Sequence, residues 1–340
     1  MNLRTSLPRF LFLVLVTAVS SLSAGQTYTV TDLGTLPGGS YSGAKAINVS
    51  GEATGWAYSN ATTADVFLYS NGVMTSLGTL GGNTGIGNGI NKSGQVAGYS
   101  TNASTYRAFL SISGTLTDIG DLGGGTAVAY ALNDAGQVVG SSVTSDGSNH
   151  PFLHSGGKMT DLGTLGSPTG PNYWNSAEGI NNLGVVVGTS YNAKGNFLGF
   201  KWSNGKMTAL GTLGGQWSQA YAINNKGQVT GQAYTTGNAQ AHAFLLTGTK
   251  MIDLGTIAGK FSTTWGLAIN DSAVIVGQST YQNTYHAFVY SGGKMKDLNN
   301  LIPAGSGWVL LSANGINAAG QIVGEGTLNG KEHGFLLTLK

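Results

Sequence analysis

Seven times along its 340 residues this chain places an apolar residue directly before an asparagine: Ile47-Asn48, Ile90-Asn91, Leu132-Asn133, Ile180-Asn181, Ile223-Asn224, Ile269-Asn270 and Ile316-Asn317. The steps between asparagines are 42 to 48 residues. Two further marks keep the same period. One is a phenylalanine, at 67, 109, 152, 200, 244, 288 and 335; the other is an apolar residue at 33, 77, 119, 162, 210, 254 and 298, usually within a DLGTL-like string. A unit of this size cannot bury a core alone, so its copies must pack against one another.

Each unit reads as four short strands. The first ends at the asparagine, and the residues two and four places before it are always Ala or Gly, as in Ala44 and Ala46 or Gly87 and Gly89. Strand side chains alternate faces, so one face is uniformly small, as required where another backbone crowds it. A turn such as Asn224-Asn225-Lys226-Gly227 follows. Asparagine bonds to nearby backbone and glycine accepts a left-handed conformation, which predicts a type I turn with a glycine bulge. Ala273 takes the glycine's place in the sixth unit. The second strand carries a glycine in all seven units, at 55, 98, 140, 188, 231, 277 and 324, which points to a bulge or a close backbone approach. A variable polar loop leads to the third strand with its phenylalanine. The fourth reads like Lys158-Met159-Thr160-Asp161-Leu162, and five of the six methionines share its register as core filler.

Four antiparallel strands in about 45 residues are the signature of a propeller blade. The expected fold is all-β: a seven-bladed β-propeller of four-stranded antiparallel blades. A β-solenoid is the alternative, but its coils lack hairpin turns and this period would have to be split. After residue 25 the chain opens on a fourth-strand string, Val30 to Leu36, and it ends just after a third strand, Gly334 to Leu337. The N-terminal strand is therefore expected to complete the seventh blade and close the ring, removing an exposed edge.

Residues 1–25 have a different character. Arg4 and Arg9 flank the start of the apolar run Phe10 to Val19, and small residues fill Ser20 to Gly25. This is the pattern of a secretory signal peptide, and the run is shorter than the roughly 20 apolar residues of a membrane span. The expected organisation is a signal peptide over 1–25 and the propeller over 26–340, with a secreted, extracellular or periplasmic address and no membrane insertion after cleavage. Without the two arginines the chain has 14 basic and 14 acidic residues. That balance argues against a nucleic-acid partner and against attraction to an anionic membrane surface. There is no cysteine, so disulfides and thiolate zinc sites are excluded.

At the third strand the sequence resembles the bacterial extracellular HAF-repeat family. His242-Ala243-Phe244 and His286-Ala287-Phe288 match its name motif in full, and His150-Pro151-Phe152 and His333-Gly334-Phe335 match in part. The DLGTLGG and INxxGQVVG strings resemble its other landmarks, and the likeness runs from Tyr28 to Lys340. The resemblance implies an exported propeller-like repeat protein and supplies no catalytic residues. Asp65, Arg107 and Leu198 replace the histidine in three units.

His150, His242, His286 and His333 start equivalent strands in different blades, too far apart to share a metal, so a repeated hydrogen bond is expected there. Asp32, Asp118, Asp161, Asp253 and Asp297 share another repeat position and suit a strand-end bond. No metal site and no cofactor is expected; Asp146-Gly147-Ser148-Asn149 reads as a plain turn rather than a calcium loop. There is no GxSxG elbow, and Gly85-Ile86-Gly87-Asn88-Gly89 lies on an inner strand, not in a nucleotide loop. Inner-strand positions Lys45, Asn88, Tyr130, Glu178, Tyr221, Leu267 and Asn314 are expected to line the channel. Glu178 is the best single acid or base there, but the sequence offers it no partner carboxylate.

Aromatic residues give the clearest binding signal. Tyr41, Trp174 and Trp217 stand seven places before their asparagines, and Trp265 and Trp308 fall close to that point. These connections should share one face with the varied loops carrying Tyr106, Tyr191, Tyr234, Tyr281 and Tyr285. Exposed rings on a weakly charged face suit sugars or a protein partner. The expectation is a monomeric, secreted binding module for a glycan or an extracellular protein. A carbohydrate-active lyase or hydrolase using the channel, and a structural cell-surface or matrix component, are the alternatives.

Overall fold

The computed structural model describes residues 27–102, 105–259 and 262–340. The segment read as a signal peptide lies outside the described residues. Twenty-eight described strands form seven four-stranded antiparallel sheets arranged as the blades of a β-propeller. Blades 1 to 6 cover residues 42–78, 85–118, 123–161, 176–209, 214–253 and 264–297. Blade 7 combines strands within 308–339 with the N-terminal strand Tyr28–Asp32, which pairs antiparallel with Lys331–Leu339 from Tyr28↔Leu339 to Asp32↔Phe335.

Local chemistry explains the blade. Each innermost strand bulges at the residue three before its asparagine, as between Ala44 and Ala46 or Ala220 and Ala222. Opposite the bulge sits the second-strand glycine. A Cβ on Gly231 would lie 2.0 Å from the Gln219 carbonyl oxygen, and one on Gly277 would lie 1.8 Å from that of Trp265. Backbone contact at that range excludes any side chain, so bulge and glycine require one another. The asparagine turns form as expected, with Gly227 at φ +76°; Ala273 adopts φ +58° in the sixth blade, a left-handed strain of about 1 kcal/mol.

The core lies between blades. All seven phenylalanines are fully buried, each among residues of its own blade and a neighbour. Phe67, for example, packs with Ala44 and Ala53 of blade 1, Val323 of blade 7 and Leu33 after the N-terminal strand. Burying a phenylalanine contributes about 1.5–3 kcal/mol, and each one ties two blades together. The methionines at 74, 159, 207, 251 and 295 pack against five of these clusters.

The asparagines do more than turn the chain. Each Oδ1 accepts the backbone amides two and four residues on, as Asn224 does from Lys226 (3.0 Å) and Gln228 (2.9 Å). Each Nδ2 also donates to the main-chain oxygen of the next blade's asparagine, at 3.0 to 3.3 Å. The last of these, Asn317 to Asn48, closes a ring of seven hydrogen bonds through all the blades.

The histidines join third strand to fourth. His150, His242, His286 and His333 bond through Nδ1 to Asp161, Asp253, Asp297 and Asp32 at 2.7 to 2.9 Å. Where arginine replaces histidine, Arg107 bonds Asp118; where Asp65 does, its partner is Ser76. Leu198 stands in the fourth blade, whose corresponding fourth-strand residue is Ala209. The two positions vary together along the chain. The bond to Asp161 holds the His150 imidazole above its usual pKa. Burial pushes the Asp161 carboxyl up, but the bonds from His150 and the Gly163 amide outweigh it and leave the group below the usual carboxylate range.

Candidate functional site

Because the bulge sits on each innermost strand, it presents the bulged residue to the channel. Lys45, Asn88, Tyr130, Glu178, Tyr221, Leu267 and Asn314 all line a chamber of about 240 Å³. Ile47, Ile90, Leu132, Ile180, Ile223 and Ile316 border it and, with Ile269, also border a second chamber of about 210 Å³. The second chamber lies at the asparagine turns, where Asp134 and Asp271 contribute carboxylates.

Much of the polar ring is already committed. Asn88 Nδ2 donates to the Ala129 carbonyl at 2.8 Å, and Asn314 Nδ2 to that of Ala44 at 2.9 Å, so each holds the next blade. Lys45 pairs with Glu325 of blade 7 at 2.9 Å. Tyr130, Glu178 and Tyr221, from three consecutive blades, bond within their own blades: Tyr130 with Ser141, Glu178 with Ser176, and the Tyr221 hydroxyl donating to Gln219. Burial pushes the Glu178 carboxyl up to about 7, against a hydrogen bond from Ser176 Oγ at 2.5 Å that favours ionisation. Burial, with the neighbouring Glu178 charge second, raises the Tyr130 and Tyr221 hydroxyls. No second carboxylate lines this chamber among the described residues.

The aromatic residues lie where blades meet. The start of each innermost strand is close to the end of the second strand, so the two sets of aromatics share one face: Tyr41 meets Tyr58 at 6.0 Å and Trp217 meets Tyr234 at 5.3 Å between ring centroids. The five predicted positions do not form one site. Trp217 lines a cleft of about 440 Å³ between blades 4 and 5 with Tyr191, Phe197 and Tyr234. Tyr173 extends this into a chain of rings: Tyr173–Tyr191 at 5.2 Å, Tyr191–Phe197 at 4.6 Å and Phe197–Trp217 at 5.9 Å. Tyr41 lines a second cleft, also of about 440 Å³, with Trp56, Tyr58 and Glu332. Trp265 packs on Tyr285, and Trp174 is 51% exposed and lines neither cleft. Trp308 is different: it packs against the blade 7 core and Phe335, which makes it part of the structural support.

The cleft between blades 4 and 5 is neutral. Besides the tyrosine hydroxyls and the Trp217 indole N–H, its polar side-chain groups are the carboxamides of Asn196, Gln216 and Asn238. Asn238 Oδ1 accepts the Gln216 backbone amide at 2.8 Å, which fixes the loop and leaves its NH₂ group facing no described partner. Sequence reasoning passed over Trp56, Tyr58, Phe197 and these amides. A signal existed for the tyrosines: Tyr58, Tyr191 and Tyr234 each stand three places after the second-strand glycine. Pairing that position with the one seven before the asparagine would have marked both clefts.

Asp146 accepts bonds from Thr144 Oγ1 (2.5 Å) and the Ser148 amide (3.0 Å), the bonding of a turn. No group of three or more His, Cys, Asp or Glu side chains arranged to hold a metal occurs among the described residues. No helix among them is long and apolar enough to cross a membrane.

No family model matches the sequence, and no curated protein matches it. Solved structures do resemble it. TolB from Acinetobacter baumannii matches over 73% of this chain and 63% of its own, with 12% identity and a TM-score of 0.50. The acylaminoacyl peptidase of Pyrococcus horikoshii matches over 88% and 52%, with 9% identity and a TM-score of 0.52. The Aleuria aurantia lectin in complex with α-methyl-L-fucoside matches over 82% and 97%, with 13% identity and a TM-score of 0.43. The chain thus spans less than two thirds of the TolB and the peptidase. At these identities the likeness is one of fold, and propellers of that fold carry unrelated functions.

Proposed function

We propose that this protein is a secreted binding module that takes a neutral glycan in the cleft between blades 4 and 5. The observation that carries the reading is the cleft's composition: four aromatic rings and three carboxamides, with no charged residue in its lining. Aromatic faces pack on the C–H face of a sugar ring, and carboxamides both donate to and accept from hydroxyls. A concave site with a few polar groups placed on an apolar lining is the usual form of a small-ligand pocket. Export is supported by the basic, apolar and small stretches over residues 4–25, and the His-Ala-Phe strings support a place among HAF-repeat proteins.

The test is binding of residues 26–340 to a panel of neutral oligosaccharides, followed by titration of Trp217→Ala. Loss of the stacking ring should weaken binding about tenfold or more without changing the far-UV spectrum. Unchanged affinity in this variant would remove the site. Release of new sugar ends from any bound polysaccharide would replace the binding reading with an enzymatic one.

A further inference from the structure

The cleft at Tyr41 has a chemistry of its own. Three rings meet around it at steep angles: Tyr41 and Tyr58 at 75°, Trp56 and Tyr58 at 85°. Beneath them Glu325 Oε1 accepts from the Trp56 indole at 3.0 Å and pairs with Lys45 at 2.9 Å. Glu332, on the cleft wall, has no hydrogen bond or ion pair with any described residue. Lys45 attracts Glu332 as well as Glu325, so the three groups together carry one net negative charge, beside three aromatic rings. Opposed to the amide-lined cleft across the ring, this is an environment for a cation: ring quadrupoles attract an ammonium group, and a carboxylate adds a charge-assisted hydrogen bond.

We infer that the cleft formed by Tyr41, Trp56, Tyr58 and Glu332 binds a protonated amine, and, resting on the glycan reading above, that the amine is that of an unacetylated amino sugar. Acetylation would remove both the charge and the strong donor, so the cleft distinguishes the two forms of one sugar. Glu332 acts as the discriminating group, and Tyr41, 47% exposed, forms the outer wall.

The experiment measures affinity for β-1,4-linked glucosamine oligomers and their N-acetylated counterparts, at a pH where the amine is protonated. The wild-type protein should prefer the amine form about tenfold, and Glu332→Gln should abolish the preference while keeping the fold. Trp217→Ala should weaken both oligomers and leave the preference intact. Equal affinity for the two oligomers, or a preference that survives Glu332→Gln, overturns the inference while leaving the neutral-glycan reading in place. Tetramethylammonium separates the two ideas further, because it carries the charge without a sugar. Glu332-dependent binding of that ion with no binding of any oligosaccharide keeps the cation cleft and removes the glycan reading. Failure to bind either the ion or the amine oligomers overturns the cleft itself.

Discussion

At the scale of single residues, this chain uses the same side chain for the same physical reason seven times, and the exceptions are informative. The second-strand glycine is required by a carbonyl oxygen about 2 Å from where a Cβ would stand, and no blade substitutes it. The turn glycine needs only a positive φ, and one blade tolerates alanine there at modest strain. The histidine and aspartate positions were both legible in the sequence as repeat features. Their pairing was not, because the partners lie eleven residues apart within a blade and, in blade 7, at opposite ends of the chain. Glu178 is the residue with most to reveal about pH. Its folded pKa of about 7 lies above its ordinary 4.5, so between these values the folded state binds more protons than the unfolded one. Stability should therefore fall as pH rises from about 4.5 to about 7, and the full loss is present above that. Glu178→Gln should raise the unfolding free energy near pH 8 by about 1–3 kcal/mol, the lower figure reflecting the open channel, with little effect below about pH 4. Denaturant titrations of both proteins at the two pH values check this; an equal effect at both would show that burial does not perturb the group.

At the scale of elements, the innermost strand sets the geometry. Its small face lets neighbouring strands crowd the axis, its bulge turns one residue per blade into the channel, and its terminal asparagine stitches it to the next. The turn-forming half of the asparagine's role followed from local sequence. The ring did not, because a bond from Nδ2 to a carbonyl 42 to 48 residues away exists only once two blades lie side by side. Asn224→Ala removes the acceptor for two backbone amides and the donor to Asn270. Leaving buried amides unsatisfied should cost about 2–4 kcal/mol. Asn224→Asp keeps the acceptor but sets a buried carboxylate oxygen against Asn270 O and Gln228 Oε1, so it should be less stable than the wild type. Thermal unfolding of the three proteins distinguishes the contributions; an aspartate variant as stable as the wild type would show that the ring bond contributes nothing.

At the scale of the whole molecule, closure is what makes seven marginal units one body. Tyr28 is buried, Tyr28 N donates to Leu301 O at 2.8 Å, and the Asp32–His333 bond repeats across the seam the pairing found within other blades. A protein starting at residue 33 should lose this strand, expose the edge of Lys331–Leu339 and open the ring. We expect a melting temperature lower by 10 °C or more, on the order of several kcal/mol, and association that grows with concentration as exposed edges pair. Size-exclusion chromatography and calorimetry read both effects. A monomer of unchanged stability would mean that the N-terminal strand is not part of the closure.

The repeat, the strand count, the small inner face and the channel positions were written in one dimension because each recurs at a fixed spacing, and the closing strand was legible because the repeat begins part-way through a unit, on a fourth-strand string. The clefts were not. Tyr41, Trp174, Trp217, Trp265 and Trp308 look alike along the chain, yet two line different clefts, one packs on a tyrosine, one stands in the open and one supports the core. Which of these an aromatic residue becomes depends on the side chains of the adjacent blade, and those are brought to it only when the ring closes.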